Sequence, residues 1–229
     1  MKKLLTFGLC ALFAVVARAT PHTYSFVPSD NDLGDLDHKD TYIWGVSDAN
    51  LKYDVTHGYS ITGVTITITG LYNWEVADTD NQLYINILGN PQSGLHIVQD
   101  NPNDTGDNKG TRSNYFAGNI ATNYGVYYTG AATLVTTYHD GNNNNTPATF
   151  TYNLTSTQRS ILQGYIQAVT ANGDADFGLG FDPDCHFYNT GVCVTITTSQ
   201  NSVPDGSATL GLLSLGMVAI AALRRSLRK

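Results

Sequence analysis

The sequence predicts a mainly β protein, an antiparallel β-sandwich of jelly-roll type with one amphipathic helix. The strongest observation is an alternation of apolar residues with threonine over residues 59–71, the pattern of a half-buried strand. Further short apolar runs follow at intervals, separated by turns rich in Asn, Asp and Gly. Such short strands with regular turns are typical of sandwiches and jelly rolls.

The strands follow one another along most of the chain. Within the strand 59–71, Gly63 interrupts the alternation, and we expect a bulge or bend there. Each of the other strands is a short β-rich run bounded by turn residues. The remaining predicted strands are residues 40–46, 83–88, 132–138, 148–154, 177–181 and 192–198.

One segment has helical periodicity. Thr155 and Gln158 have the spacing of a capping box, and Asn172-Gly173 is a stop signal. The apolar side chains between them recur on one helical face: Ile161, Leu162, Tyr165, Ile166 and Val169. We therefore expect one amphipathic helix that packs on the β core.

The N-terminus has the features of a secretory signal peptide. Two lysines precede an uncharged apolar run, residues 4–16, and Ala17-Arg18-Ala19 follows. This order predicts a signal helix and cleavage between Ala19 and Thr20 by signal peptidase after transfer to the secretion machinery. The predicted organisation is a signal peptide at 1–19, a β-sandwich domain at 20–198, a linker at 199–203 and a C-terminal sorting signal at 204–229.

The C-terminus joins a short motif, an uncharged segment and a basic stop. The motif is Val203, Pro204, Asp205 and Gly206, and residues 208–223 carry no charge. This predicts a hydrophobic helix that is a little short of the roughly 20 residues that span a bilayer. The basic stop, which we expect to stay on the cytoplasmic side, is Arg224, Arg225, Arg228 and Lys229.

This arrangement resembles the PEP-CTERM sorting signal of Gram-negative bacteria, in the variant whose motif begins Val-Pro-Asp. The resemblance implies an inner-membrane intermediate, processing by an exosortase-type enzyme, and release to the cell surface or extracellular matrix, where such proteins accompany secreted polysaccharide. The alternative is a simple C-terminal membrane anchor. Segments 32–45 and 177–189 also resemble parts of uncharacterised β-rich proteins with this tag.

The charge of the predicted mature chain excludes one class of partner. Residues 20–203 hold five basic and eighteen acidic side chains, a formal charge of −13. Such a chain repels nucleic acid and anionic lipid. We therefore expect no nucleic-acid partner.

The acidic residues suggest a cation site. Nearly all are Asp in turns, where short carboxylates suit calcium, although Asp also stabilises turns without any metal. The candidate calcium ligands on turns are Asp35, Asp37, Asp182 and Asp184. The acidic loop 100–110 does not match the register of an EF-hand and is a weaker candidate.

Two cysteines remain once the signal peptide is removed. Cys185 and Cys193 enclose a short segment, and an exported protein with two cysteines usually pairs them. We expect a disulfide that closes a hairpin. A zinc or redox role is disfavoured because the spacing is not Cys-x-x-Cys.

The motifs of common enzymes are missing. The sequence contains no His-Glu-x-x-His, no Gly-x-Ser-x-Gly and no phosphate loop, so we expect a non-enzymatic protein. A glycan-acting hydrolase that uses a pair of Asp is the less favoured alternative. Two non-enzymatic functions remain: a surface or matrix protein associated with exopolysaccharide, and a glycan-binding module, with or without calcium. The second predicts that Trp44, Trp74 or several tyrosines form an exposed row or cleft, whereas the first allows all of them to be buried.

Overall fold

The computed structural model describes residues 20–29, 33–75, 81–99, 114–117, 127–140, 146–169, 174–200, 216–217 and 224–225. Two compact units divide the chain: Met1–Thr20 with Asn201–Lys229, and Pro21–Gln200. Of the first unit only Thr20 and two short helical segments are described, so the signal peptide and the sorting motif lie outside the described residues. Within the described ranges no helix has the length and apolar character to cross a bilayer.

The second unit is mainly β and contains eleven described strands and two α-helices. The strands are β1 (His22–Phe26), β2 (Asp35–Leu36), β3 (Asp40–Val46), β4 (Tyr59–Asn73), β5 (Gln82–Leu88), β6 (Gly94–Gln99), β7 (Ala132–His139), β8 (Ala148–Asn153), β9 (Phe177–Pro183), β10 (Phe187–Tyr188) and β11 (Gly191–Gln200). The helices are α1 (Ala49–Thr56) and α2 (Ser156–Ala168). All strands predicted from the sequence are present.

The strands form two antiparallel sheets. In the first sheet β4 has β11 and β10 along one edge and β8 along the other, with β1 beside β11 and β2 beside β10. The second sheet has the order β6-β3-β9-β5-β7. The sandwich expected from the sequence is thereby confirmed.

Strand β4 is the long central element of the first sheet. Its alternating residues Val64, Ile66 and Ile68 are buried, and their threonine neighbours are only partly covered. The pairing with β11 shifts register where Thr197 lies opposite Gly63 and Thr198 lies opposite Ile61. The bulge predicted beside Gly63 is confirmed.

The main core fills the space between the sheets, and a second apolar cluster covers the outer side of the second sheet. The strands β3, β5 and β9 are buried along almost their whole length. Both faces of these strands are covered, so their burial does not alternate as it does in β4. The outer cluster consists of Ile43, Leu88, Phe116 and Tyr128.

The helix α2 begins with the predicted capping box. The Gln158 N–H donates to Thr155 Oγ1 at 3.3 Å, and the Thr155 N–H donates to Gln158 Oε1 at 2.9 Å. Gln163 Oε1 accepts from the Ile61 N–H at 3.0 Å, which places α2 near the start of β4. The sequence analysis expected a single helix and missed α1, whose N-cap is Asp48.

The predicted disulfide is absent, since Cys185 and Cys193 are both free thiols. Segment 187–193 does not form a hairpin, because β10 and β11 pair with β4 in one continuous register. A strand rises about 3.3 Å per residue, so the chain carries Cys193 about 20 Å beyond Phe187, whereas a disulfide needs Cα atoms about 6 Å apart. Cys185 is buried in the core, and Cys193 Sγ lies 3.4 Å from Ser25 Oγ.

Candidate functional site: an outward patch at the end of strand β4

Strand register places four aromatic side chains on the outer face of the first sheet. Tyr188 lies opposite Tyr72, and the Trp74 N–H donates to the His186 carbonyl at 2.9 Å. The intervening residues Asn73 and Phe187 are buried. Because side chains alternate between the faces of a strand and opposed residues share a face, Tyr72, Trp74, His186 and Tyr188 project outward together. We call these four residues the aromatic row.

The rings of the aromatic row are close to one another. The ring centroids of Tyr72 and Tyr188 are 5.4 Å apart, and those of Trp74 and His186 are 6.2 Å apart. His186 also lies 6.2 Å from Tyr188, measured between centroids. Trp74 is 57% exposed, and the other three side chains are partly exposed. The row is therefore a continuous aromatic surface open to solvent.

Strand β2 brings two carboxylates to the same face. Asp35 lies opposite Tyr188, while Leu36 faces the core opposite Phe187. Asp37, one residue beyond β2, is again partly exposed. The Tyr42 hydroxyl fixes this segment, since it accepts from the Asp37 N–H at 2.8 Å and donates to the Asp35 carbonyl at 3.0 Å.

Asp37 joins two imidazoles into a group that we call the histidine cluster: Asp37, His38 and His186. Its Oδ1 is 3.1 Å from His38 Nδ1, and its Oδ2 is 3.0 Å from His186 Nε2. One ligand atom from each residue lies within 4.8 Å of the other two. Among the described residues this is the one group of three such side chains close enough to hold a metal ion.

The surroundings keep Asp37 ionised. Burial acts to raise the pKa of Asp37, but hydrogen bonds from His186 and the Lys39 N–H, together with the nearby imidazoles, bring that pKa below its ordinary value. Burial and the charge of Asp37 raise the pKa of Asp40. A carboxylate that stays charged can accept hydrogen bonds from a ligand or coordinate a cation.

The remaining sequence candidates lie elsewhere. Asp182 Oδ2 accepts from the Tyr115 N–H at 2.6 Å, and Asp184 accepts from the Gln82 N–H. Both therefore bond backbone amides, as the alternative to calcium binding expected, and neither belongs to the histidine cluster. Trp44 is only 5% exposed because β3 is covered on both faces, so the expectation that it contacts a glycan at the surface is wrong.

Several predicted sites fall outside the described residues. They are Ala19, Val203, Pro204, Asp205, Gly206, Arg228, Lys229 and the acidic loop 100–110. Thr20, Arg224 and Arg225 are described and exposed.

Sequence analysis missed His38, His186, Tyr72 and Tyr188 as site residues. The one local signal was His38 next to Asp37. His186 lies far away in the sequence and reaches the cluster only because β10 pairs with β2 and β4.

Comparison of the chain with models of known protein families and with curated proteins finds no match. The functional argument therefore depends on the geometry of the aromatic row and the histidine cluster.

Proposed function

We propose that the protein is a non-enzymatic, exported surface or matrix protein whose β-sandwich binds secreted polysaccharide through the aromatic row. The observation that carries this proposal is the exposure of Trp74 beside Tyr72 and Tyr188 on one outward face. An exposed row is the feature that distinguishes glycan binding from a purely structural role, for which all the aromatic side chains could be buried.

The chemistry of the row suits a sugar chain. The apolar face of a sugar ring stacks on aromatic rings, and neighbouring carboxylates accept hydrogen bonds from its hydroxyl groups. Alternate residues of an extended chain are about 7 Å apart, so Tyr72, near the end of β4, and Trp74, one residue beyond it, offer two successive stacking positions. Asp35, opposite Tyr188, supplies an acceptor at the edge of the row.

The net charge predicts which polymers bind. With a formal charge of −13 over residues 20–203, the mature chain repels acidic polysaccharides at low salt. We therefore expect neutral polysaccharides to bind directly. Acidic polymers should bind only when a divalent cation bridges the two partners.

Affinity electrophoresis of the full chain, in gels containing a soluble neutral glucan or galactomannan, tests this function. Trp74→Ala removes the most exposed ring, and we expect about a tenfold loss of affinity, which corresponds to about 1.4 kcal/mol. Tyr53→Ala is a matched control, because Tyr53 is 59% exposed but lies on α1. Equal retardation of both variants and the parent chain would contradict the proposal, and release of shortened sugars during the assay would favour a hydrolase instead.

We further propose a jelly-roll topology for the sandwich. Eight strands support it through their orders β1-β11-β4-β8 and β3-β9-β5-β7. The assignment of these eight strands to the two sheets, taken in chain order, is the one that arises when a long antiparallel hairpin is rolled up into two facing sheets. Strand β6 extends the second sheet beyond β3, and the short β2 extends the first sheet beyond β10.

The route of export is also part of the proposal. A signal helix at residues 1–19 and a hydrophobic helix within 204–229 would deliver the domain to the cell surface through an inner-membrane intermediate. Intact mass of the protein from the native envelope and medium tests this route. A chain that starts at Thr20 and ends near Val203 to Gly206 supports exosortase-type sorting, whereas a C-terminus retained through Lys229 would favour a simple anchor.

A further inference from the structure

We propose that the histidine cluster, Asp37, His38 and His186, is a binding site for a divalent transition metal ion of the zinc class. This inference is argued from donor atoms and their spacing, and its test needs no polysaccharide, although His186 belongs to both the cluster and the aromatic row.

The donor set selects the class of metal. Two imidazole nitrogens and one carboxylate suit zinc, copper, nickel or cobalt, whereas calcium takes six to eight oxygen ligands. The calcium that the sequence suggested for Asp37 is therefore a poorer fit to this cluster. Three protein ligands also leave a coordination position open for water or a ligand.

The spacing of the donor atoms is close to that of a metal site. In a tetrahedral zinc site the ligand atoms lie about 2.0–2.1 Å from the metal and therefore about 3.3 Å from one another. The carboxylate oxygens of Asp37 lie 3.1 Å from His38 Nδ1 and 3.0 Å from His186 Nε2, and all three ligand atoms fall within 4.8 Å. Rotation of these side chains would bring them around one ion.

The backbone holds these ligands in place. Tyr42 fixes the Asp37 N–H, and the Lys39 N–H donates to Asp37 Oδ1 at 3.1 Å. The His186 carbonyl accepts from the Trp74 N–H, which anchors the segment between β9 and β10 to the end of β4. Because the segments that carry Asp37 and His186 are both held by neighbouring strands, little conformational entropy is lost when a metal binds.

The metal-free cluster leaves one polar atom unsatisfied. His38 is mostly buried, with a side chain 12% exposed, and its Nε2 has no hydrogen-bond partner among the described residues. Whichever tautomer His38 adopts, one ring nitrogen faces Asp37 and the other is buried without a partner in the described part of the chain. A metal ion bound at Nδ1, the nitrogen that faces Asp37, would fix the proton on Nε2 and so select one tautomer, but it would not itself supply Nε2 with a partner.

Calorimetric titration of the EDTA-treated full chain in mild detergent with ZnCl₂ tests the site, without any polysaccharide. We expect one zinc ion per chain and no binding of CaCl₂ under the same conditions. His186→Gln and Asp37→Asn should each weaken zinc binding at least tenfold. His96→Gln is the matched control, because His96 stacks on Tyr127 and lies outside the cluster.

Cobalt(II) absorption gives a second readout on the unmodified chain. Bound cobalt in a four-coordinate site of nitrogen and oxygen ligands should give intense visible bands, and zinc should displace them. A weak octahedral spectrum, zinc binding that survives both cluster substitutions, or the absence of zinc binding would each overturn the proposal. Circular dichroism of the metal-free variants checks that they fold, and His38→Gln replaces any variant that does not.

Discussion

Asp54 connects three elements through one buried oxygen atom, and its replacement by asparagine should destabilise the domain. Asp54 lies on α1 and is 4% exposed. Its Oδ2 accepts hydrogen bonds from Tyr24 OH of β1, Thr198 Oγ1 of β11 and His22 Nδ1, each at 2.7 Å. The substitution Asp54→Asn would place a neutral amide where these donors now meet a carboxylate.

The expected loss follows from the exposure of each donor. The His22 side chain is 45% exposed and can bond water instead, whereas Thr198 is fully buried. A hydrogen bond to a charged group contributes about 1.5–3 kcal/mol. The bonds from Tyr24 and Thr198 are better covered than the bond from His22, and the substitution weakens them rather than deletes them. We therefore expect the free energy of unfolding to fall by about 3 kcal/mol. For a domain of this size the melting temperature should fall by about 6–12 °C.

The loss should depend on pH. Burial acts to raise the pKa of Asp54, but hydrogen bonds from Tyr24, Thr198 and His22 bring it below its ordinary value. A carboxyl group with a lowered folded-state pKa stabilises the fold above its unfolded pKa of about 3.9, and this contribution is lost as the pH falls through the folded-state value. The difference between the parent chain and Asp54→Asn should therefore be smaller at pH 3 than at pH 7, because part of the contribution is already lost once the pH falls below the unfolded-state pKa.

Urea denaturation at these two pH values measures the effect. Asp35→Asn is the control, because Asp35 is exposed, and its stability should change by less than about 0.5 kcal/mol. Thr198→Val tests the coupling, since Asp54→Asn should cost less in a chain that already lacks the buried hydroxyl. A loss for Asp54→Asn that is equal at pH 7 and pH 3, or no larger than that of the control, would refute the ionic role of Asp54.

Two further predictions concern backbone packing and the thiols. Gly45→Ala should destabilise the fold by about 3 kcal/mol or more, because an added Cβ would lie 1.8 Å from the Gln92 carbonyl oxygen. Gly164→Ala on α2 meets open space and should stabilise the fold by about 0.5–1 kcal/mol. Thermal unfolding of the two variants checks both signs. Alkylation mapped by mass spectrometry should modify Cys193 before Cys185 in the native chain, since burial raises the pKa of the Cys185 thiol to about 11. Reductant should leave the intact mass of the protein unchanged, and a shift of about two hydrogens would contradict the separation of these thiols.

Sequence patterns predicted the structure reliably where the pattern depends on the residues of a single strand or helix. The alternation in β4, the bulge beside Gly63 and the capping box of Thr155 and Gln158 were all predicted and are present. Helix α1 was missed because it has only eight residues and weak amphipathic character, although Asp48 stands at its start as an N-cap. Edge strands such as β1 and β6 were missed because they bury little apolar surface.

The candidate site was only partly visible in the sequence. Asp35, Asp37 and Trp74 were proposed as binding residues and lie together on the outer face of the first sheet. Trp44 was proposed on the same grounds and is buried, because composition does not tell which face of a strand is covered. The disulfide was inferred from proximity in sequence, but an extended segment carries its two ends apart.

The sequence by itself determined the sandwich class, the capped helix and the net negative charge, because each depends on local periodicity or composition; the export signals remain a prediction. Only the tertiary structure decided that His186 meets Asp37 and His38, and that Tyr72 and Trp74 form a row with Tyr188. These contacts depend on the register between β2, β10 and β4. Register is set by the burial of Leu36, Phe187 and their neighbours in a common core, which no segment can specify alone.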